Sequence, residues 1–187
     1  MDKQETLNNI LKDSTIRGVI FDFDGVIVDL FVDWLSLKQE LKSKFFFNGE
    51  IKLNDILAEV NKKLGPEGLK DAYNLVEIYE LKYPGKAIVN ENILGFFNDC
   101  YIKKIKLGIF SSNMKKTIDY FLDKLRIKNL FNIVVAKEDI KAHKPDPEGL
   151  KLIIDKWKID KDNIIFIGNN ENDKICGERA GIKTFII

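Results

Sequence analysis

The sequence predicts a doubly wound, Rossmann-like α/β fold, in which a parallel sheet of about five strands carries a small helical cap inserted after the first strand. Short, nearly continuous apolar runs recur along the chain, helical patterns separate most of them, and one interval is too long for a single crossover helix. Nearly continuous apolar runs are typical of strands buried on both faces. Alternation of strand and helix favours parallel strands joined by right-handed crossovers.

Five apolar runs supply the predicted strands, and three helical patterns connect the later ones. The strands are predicted at 18–23, 106–112, 132–136, 163–168 and 183–187. The connecting helices are predicted at 115–126, 147–157 and 172–181. Each helix returns the chain to the amino end of the sheet, as a parallel arrangement requires.

The interval between the first two strands predicts an inserted module. Residues 31–83 have helical patterns, which Gly65 and Pro66 interrupt, and Pro84 and Gly85 precede a returning helix at about 90–103. We therefore expect an α/β core over 1–29 and 85–187, with a helical cap over 30–84. The run 45–47, three consecutive phenylalanines, is expected to form the core of that small module.

Composition and charge exclude several classes of partner. The 187 residues include 30 basic and 29 acidic side chains, for a net charge of +1, which predicts no nucleic-acid footprint and no acidic-membrane binding. The N-terminal segment is polar, and no apolar stretch approaches the roughly 18 residues of a membrane span. Cys100 and Cys176 match no metal or redox spacing and are expected to be buried thiols. We expect a cytoplasmic protein.

Polar side chains gather where the predicted strands end. Asp22 and Asp24 end the first strand, Ser111 ends the second, Lys144 lies in the loop after the third, and 169–173 follows the fourth. The carboxyl ends of parallel strands form the ligand crevice of such folds, so these residues are expected to meet there.

The chemistry of this set suits phosphoryl transfer. Its transition state spreads charge over phosphoryl oxygens, which calls for hydroxyl and amide donors, a cation, and a Mg²⁺ ion held by hard oxygen ligands. A carboxylate nucleophile can divide hydrolysis into two easier steps through an aspartyl-phosphate.

Four ordered motifs resemble those of the haloacid dehalogenase-like (HAD) hydrolase superfamily. They are DFDGVIVD, IFSSN, KPDP and IGNNENDKICGERAG, and the resemblance covers about residues 18–187. A helical insert directly after the first motif resembles the C1-capped, phosphoglycolate-phosphatase-like branch.

The resemblance implies roles for the first and third motifs. Asp22 would be the nucleophile and a metal ligand. Asp24 would be the general acid and base, and would also bind Mg²⁺ through its backbone carbonyl. Lys144 would neutralise charge between the nucleophile and the phosphate.

The second and fourth motifs would bind the phosphoryl group and the metal. Ser111 would hydrogen-bond the phosphoryl group, aided by backbone amides near Ser112 and Asn113. Asp173 matches the second acid of the fourth motif and is a further candidate metal ligand. Asn169 stands where the family usually has an aspartate, so it offers Mg²⁺ only a neutral amide oxygen and the metal site should be weaker.

The function that the resemblance implies is a Mg²⁺-dependent phosphatase acting on a small phosphorylated metabolite. Two alternatives stay open: a catalytically weak module that binds a phosphometabolite or another protein, and a β-phosphoglucomutase-like phosphomutase. Mutases of that kind use a cap histidine, and the only histidine here, His143, lies outside the predicted cap. The oligomeric state is left open.

Overall fold

A computed structural model describes residues 3–48 and 52–187. By its contacts the chain divides into two compact units, one formed by Met1–Asp29 with Ile88–Ile187 and the other by Leu30–Ala87. Among the described residues, the first unit contains the α/β sheet, and the second contains two α-helices and a short 3-10 helix. That the second unit acts as a cap remains a prediction.

Strands and helices alternate over the second half of the chain, as predicted. In chain order the strands are β1 (Gly18–Phe21), β2 (Val28–Asp29), β3 (Ile88–Val89), β4 (Lys106–Phe110), β5 (Phe131–Val135), β6 (Ile164–Gly168) and β7 (Lys183–Ile186). The helices are α1 (Lys3–Lys12), α2 (Trp34–Phe45), α3 (Leu53–Glu80), α4 (Glu91–Ile102), α5 (Lys115–Lys124), α6 (Glu148–Trp157) and α7 (Glu171–Ala180).

The main sheet has the order β5-β4-β1-β6-β7 within the described residues, and every neighbouring pair is parallel. The predicted doubly wound α/β fold is confirmed. Strand β1 lies at the centre, fully buried, with Phe21 opposite Ile109 of β4 and Ile167 of β6. The chain that leaves β1 therefore emerges between the ends of two neighbouring strands.

A short antiparallel pair, β2 with β3, was not predicted. Each strand has only two residues, too few for an alternating pattern to be read from the sequence. Asn90, which follows β3, hydrogen-bonds to the loop before β2. Its backbone N–H donates to Ile27 O at 3.0 Å, and its side chain donates to Val26 O at 3.0 Å.

Trp157, at the end of α6, packs against the sheet. The residue is 6% exposed, and its ring lies so close to Gly18 and Gly108 that a side chain at either position would meet it. Glycine is therefore required on two neighbouring strands because the indole approaches the backbone directly. On α4, Phe97 meets Phe21 edge to face, with ring centroids 5.0 Å apart.

Helices α2 and α3 form most of the described part of the second unit. Gly65 has φ 66° and ψ −163°, so α3 bends where the Gly-Pro pair predicted an interruption. The predicted phenylalanine core is wrong, because Phe46 is 90% exposed and Phe45 and Phe47 are only half-buried. Phe46 ends α2 in a left-handed conformation, with φ 59°, and this turn directs its side chain away from the unit.

Both cysteines are buried and reduced, as predicted. Burial raises the pKa of Cys100 and of Cys176 to about 12, which makes both thiols unreactive near neutral pH. In the described part of the chain, no helix combines the length and apolar character that crossing a membrane requires.

Candidate active site

The first motif forms a tight turn at the end of β1. The sheet ladder continues one residue beyond the strand, because Asp22 N–H donates to Ile167 O at 2.8 Å. Phe23 is fully buried, and Gly25 turns the chain with φ 78° and donates its N–H to Val28 O at 2.8 Å. The two carboxylates of the motif are thus held on a turn whose backbone is fixed on both sides.

Asp22, Lys144 and Asp173 form a buried triad. Lys144 Nζ lies 2.8 Å from Asp22 Oδ1 and 2.8 Å from Asp173 Oδ1, and the Lys144 side chain is only 5% exposed. Asp22 Oδ1 also accepts the Phe23 N–H at 2.7 Å. The structure therefore joins three of the predicted site residues, which come from the segments that follow β1, β5 and β6.

The charges of the triad do not balance. Burial would lower the pKa of Lys144, but Asp22 and Asp173 together outweigh it and hold that pKa above its ordinary value. Burial raises the pKa of Asp22; Lys144 opposes this rise, and Asp173 adds to it. When both carboxylates are ionised, the single ammonium leaves one net negative charge at the strand ends, which favours the approach of a second cation.

Asp173 is held by donors on both of its oxygens. Oδ1 accepts from Lys144, while Oδ2 accepts the backbone N–H groups of Asn169 and Asn170 at 3.0 and 3.3 Å. Asp173 is fully buried, and its β-carbon lies where a side chain at Gly168 would be. These contacts suit a residue that positions Lys144 and the fourth-motif loop better than they suit a metal ligand.

Ser111 and Asn113 form a small hydrogen-bonded turn after β4. Ser111 N–H donates to Val135 O at 3.0 Å, which places the hydroxyl at the strand end. The hydroxyl donates to Asn113 Oδ1 at 2.8 Å and accepts the Asn113 N–H at 3.2 Å. Ser111 and Asn113 are buried, whereas Ser112 is half-buried. A role for this turn in binding phosphate remains a prediction.

Asn169 is linked to the first motif. Its side-chain nitrogen donates to the backbone carbonyl of Asp24 at 3.1 Å, and its side-chain oxygen accepts from the Asn170 amide at 2.7 Å. Any side chain at Gly25 would collide with the Asn169 amide. The sequence did not predict the part that Asn170 plays, although the spacing of Asn170 and Asp173 is that of a helix capping box.

The oxygen atoms at this edge of the sheet are of the chemical types that bind a hard divalent cation. They comprise the Asp22 carboxylate, the Asp24 backbone carbonyl and the Asn169 amide, beside the unbalanced charge of the triad. Oxygen donors of these types are the ones Mg²⁺ prefers. Among the described residues there is no group of three or more His, Cys, Asp or Glu side chains arranged for a metal.

His143 lies beside Lys144 and takes no part in the triad. Burial, with Lys137 nearby, lowers the pKa of His143 to about 4, so the ring is neutral near physiological pH. Its Nδ1 atom is buried without a hydrogen-bond partner in the part of the chain that the structure describes.

Comparison with known proteins identifies the family. The profile of the haloacid dehalogenase-like hydrolase family matches residues 19–187. A haloacid dehalogenase-like hydrolase domain-containing protein of Arabidopsis thaliana is 28% identical over 185 residues, covering 92% of this chain and 71% of the relative. The pyrophosphatase PpaX of Bacillus velezensis is 23% identical over 183 residues, covering 93% of this chain and 84% of that protein.

Solved structures share the fold. A haloacid dehalogenase-like hydrolase from Bacteroides fragilis has a TM-score of 0.69 at 22% identity, covering 90% of this chain and 86% of its own. A predicted phosphoglycolate phosphatase from Haemophilus somnus has a TM-score of 0.68 at 17% identity, with coverages of 91% and 84%. The family profile spans most of the sequence and both structures share its α/β fold, so this chain belongs to the haloacid dehalogenase-like hydrolase family of enzymes.

Proposed function

We propose that this enzyme hydrolyses phosphomonoesters of small metabolites, with Asp22 as the nucleophile and Mg²⁺ as the cofactor. The observation that carries the proposal is the buried triad, in which Lys144 fixes a carboxylate at the centre of the sheet's carboxyl edge. An ammonium placed beside a carboxylate nucleophile also neutralises charge on an incoming phosphoryl group.

Asp22 attacks through Oδ2 in this mechanism. The described contacts of its carboxylate, with Phe23 N–H and Lys144, fall on Oδ1 and fix the group in one orientation. A bond forms between Oδ2 and phosphorus while the bond from phosphorus to the leaving oxygen breaks. The product of this step is an aspartyl-phosphate on Asp22.

Asp24 moves the protons. Its half-buried carboxyl group gives a proton to the leaving oxygen in the first step and is left as a carboxylate. In the second step Asp24 takes a proton from water as the water oxygen attacks phosphorus. The bond between phosphorus and Asp22 then breaks, which releases inorganic phosphate and restores both side chains.

Ser111 and the turn after β4 are proposed to hold the phosphoryl oxygens. The Ser111 hydroxyl now donates to Asn113 and would exchange that acceptor for a phosphoryl oxygen. Backbone N–H groups near Ser112 and Asn113 would supply further donors, which stabilise charge in the transition state.

Mg²⁺ would be held by Asp22, the Asp24 carbonyl and Asn169. Asp173 would not bind the ion but would position Lys144 through their ion pair. The bound ion would supply positive charge that stabilises the phosphoryl oxygens. The role of Asp173 thus differs from the metal ligation that the sequence suggested, because both of its oxygens already accept protein hydrogen bonds.

The proposed substrate is a compact phosphorylated metabolite in the cytoplasm. Support comes from the names of relatives, a pyrophosphatase and a predicted phosphoglycolate phosphatase, which indicate small anionic compounds. If Leu30–Ala87 acts as a cap, it would further exclude macromolecular phosphates and bulk water. No nucleic acid and no membrane are proposed as partners.

The test is turnover of p-nitrophenyl phosphate and a panel of metabolite phosphates, including pyrophosphate and phosphoglycolate, in Mg²⁺, Mn²⁺ or Co²⁺. Wild-type protein should release inorganic phosphate, and Asp22→Asn, which keeps the shape of the side chain, should not. A folded wild-type protein without activity on any compound in any metal would overturn the proposal.

One observation favours a second candidate function, a weakly catalytic module that binds a phosphometabolite. The Asn169 amide donates to the Asp24 carbonyl, the atom proposed as a metal ligand. Calorimetry with each panel phosphate, beside the turnover assay, separates the two candidates. Binding without turnover at saturating Mg²⁺ would support the binding module.

A further inference from the structure

A chain of side-chain hydrogen bonds joins the amino end of α7 to the first motif. Asp173 N–H donates to Asn170 Oδ1 at 3.2 Å, and Asn170 Nδ2 donates to Asn169 Oδ1 at 2.7 Å. Asn169 Nδ2 then donates to the backbone carbonyl of Asp24 at 3.1 Å. The two ends of the chain are backbone groups, one of which can only donate and the other only accept.

Those two ends fix the direction of every bond between them. Rotating the Asn169 amide by half a turn on its own would place two acceptors together, its oxygen and the Asp24 carbonyl. It would also place two donors together, its nitrogen and the Asn170 nitrogen. Turning both amides would set the Asn170 nitrogen against the Asp173 N–H, which has no lone pair to offer. The orientation of both amides therefore follows from donor and acceptor chemistry alone.

This orientation opposes cation binding. The amide oxygen of Asn169, the atom that a cation needs, faces Asn170, while its NH₂ group lies against the Asp24 carbonyl. The NH₂ group carries partial positive charge, so it takes the place of a cation at that carbonyl. An aspartate at position 169 could not make this bond, because a carboxylate has no proton to donate.

We propose that Asn170 is a positioning residue that holds Asn169 in its metal-excluding orientation, so that Mg²⁺ binds this enzyme only after the Asn169 amide turns over. The proposal rests on the Mg²⁺ site of the proposed function. Turning the amide breaks its bonds to Asp24 and Asn170, and the loss of these bonds weakens metal binding.

Removing the Asn170 donor should therefore tighten Mg²⁺ binding. Serine at position 170 can still cap α7, because its hydroxyl accepts the Asp173 N–H, but it lacks the amide that donates to Asn169. One net hydrogen bond contributes about 1 kcal/mol, equivalent to about a fivefold change in the dissociation constant. We expect Asn170→Ser to bind Mg²⁺ about fivefold more tightly than wild type.

The experiment is calorimetric titration of Mg²⁺ alone into wild type, Asn170→Ser and the matched control Asn172→Ser. Asn172 is exposed and lies on the same first turn of α7. The control should bind Mg²⁺ as wild type does. Equal affinities in all three proteins, or weaker binding by Asn170→Ser, would overturn the inference.

A metal-free measurement keeps this inference separate from the proposed function. In EDTA, the Asn169 side-chain NH₂ protons should exchange with solvent more slowly than those of Asn172, and Asn170→Ser should reduce that protection. Exchange as fast as that of Asn172 would overturn the inference. Absence of Mg²⁺ binding even in Asn169→Asp would instead remove the metal from the proposed function, and the exchange measurement would still decide the orientation of Asn169.

Discussion

Replacing Lys144 by methionine should cost this protein about 3–5 kcal/mol of unfolding free energy, the usual penalty for removing one partner of a buried ion pair. Methionine keeps most of the apolar stem and removes the ammonium. Lys144 Nζ lies 2.8 Å from both Asp22 and Asp173, so each contact supplies roughly 6 kcal/mol of gross attraction at an effective dielectric constant of about 20. Desolvation of the charges offsets most of this attraction in wild type.

Urea unfolding in EDTA at neutral pH, followed by circular dichroism, measures the loss. Lys156→Met is the matched control, because Lys156 is an exposed lysine on α6 and its replacement should change stability by less than about 0.5 kcal/mol. Adding Asp22→Asn to Lys144→Met should recover part of the loss, since it removes one of the two unpaired carboxylates. A loss no larger than that of the control, or no recovery in the double variant, would refute this account of the triad.

Three further predictions concern the metal, the pH dependence and the turn. Asn169→Asp should lower the Mg²⁺ concentration that gives half-maximal activity, and should have a smaller effect on turnover at saturating Mg²⁺. If the Mg²⁺ titrations of wild type and Asn169→Asp on one substrate coincide, this prediction is contradicted. His143 has an ordinary pKa of 6.5 and a folded pKa of about 4. The unfolded chain therefore takes up the proton first as pH falls through that range. The unfolding free energy should therefore fall by about 1–2 kcal/mol between pH 6.5 and pH 4, after allowance for solvent screening. His143→Gln should reduce this dependence of the unfolding free energy on pH. Gly25→Ala should cost about 1–3 kcal/mol, because Gly25 has φ 78° and faces the Asn169 amide, whereas Gly85→Ala, with open space around it, should be nearly neutral in thermal unfolding.

The parts of the fold that could be predicted are those with a strong local signal. Buried parallel strands appear as continuous apolar runs, and the bend in α3 was visible as Gly65 and Pro66. The two-residue strands β2 and β3 leave no such pattern. Phe46 was misjudged because burial was inferred from residue type, whereas the left-handed end of α2 decided where the side chain points.

Some features of the candidate site could likewise be predicted from the sequence, and others could not. Topology alone predicted that Asp22 and Lys144 would meet, since the carboxyl ends of parallel strands share one edge. The sequence could not indicate that Lys144 bridges two carboxylates, because this depends on the path of its loop. The orientation of the Asn169 amide could not be predicted either, because it depends on hydrogen bonds to Asp24, which is distant in the sequence, and to Asn170.

Trapping of the phosphorylated enzyme tests most directly the claim that Asp22 attacks phosphorus. Asp24→Asn should slow release of the phosphoryl group more than its capture from p-nitrophenyl phosphate, whose leaving group needs little protonation. Acid quenching followed by borohydride reduction converts an aspartyl-phosphate to homoserine, which peptide mass spectrometry locates. We predict homoserine at position 22 in Asp24→Asn and none in the double variant that also carries Asp22→Asn. Phosphate release by wild type with no modification at position 22, or with the modification at another residue, would contradict the account.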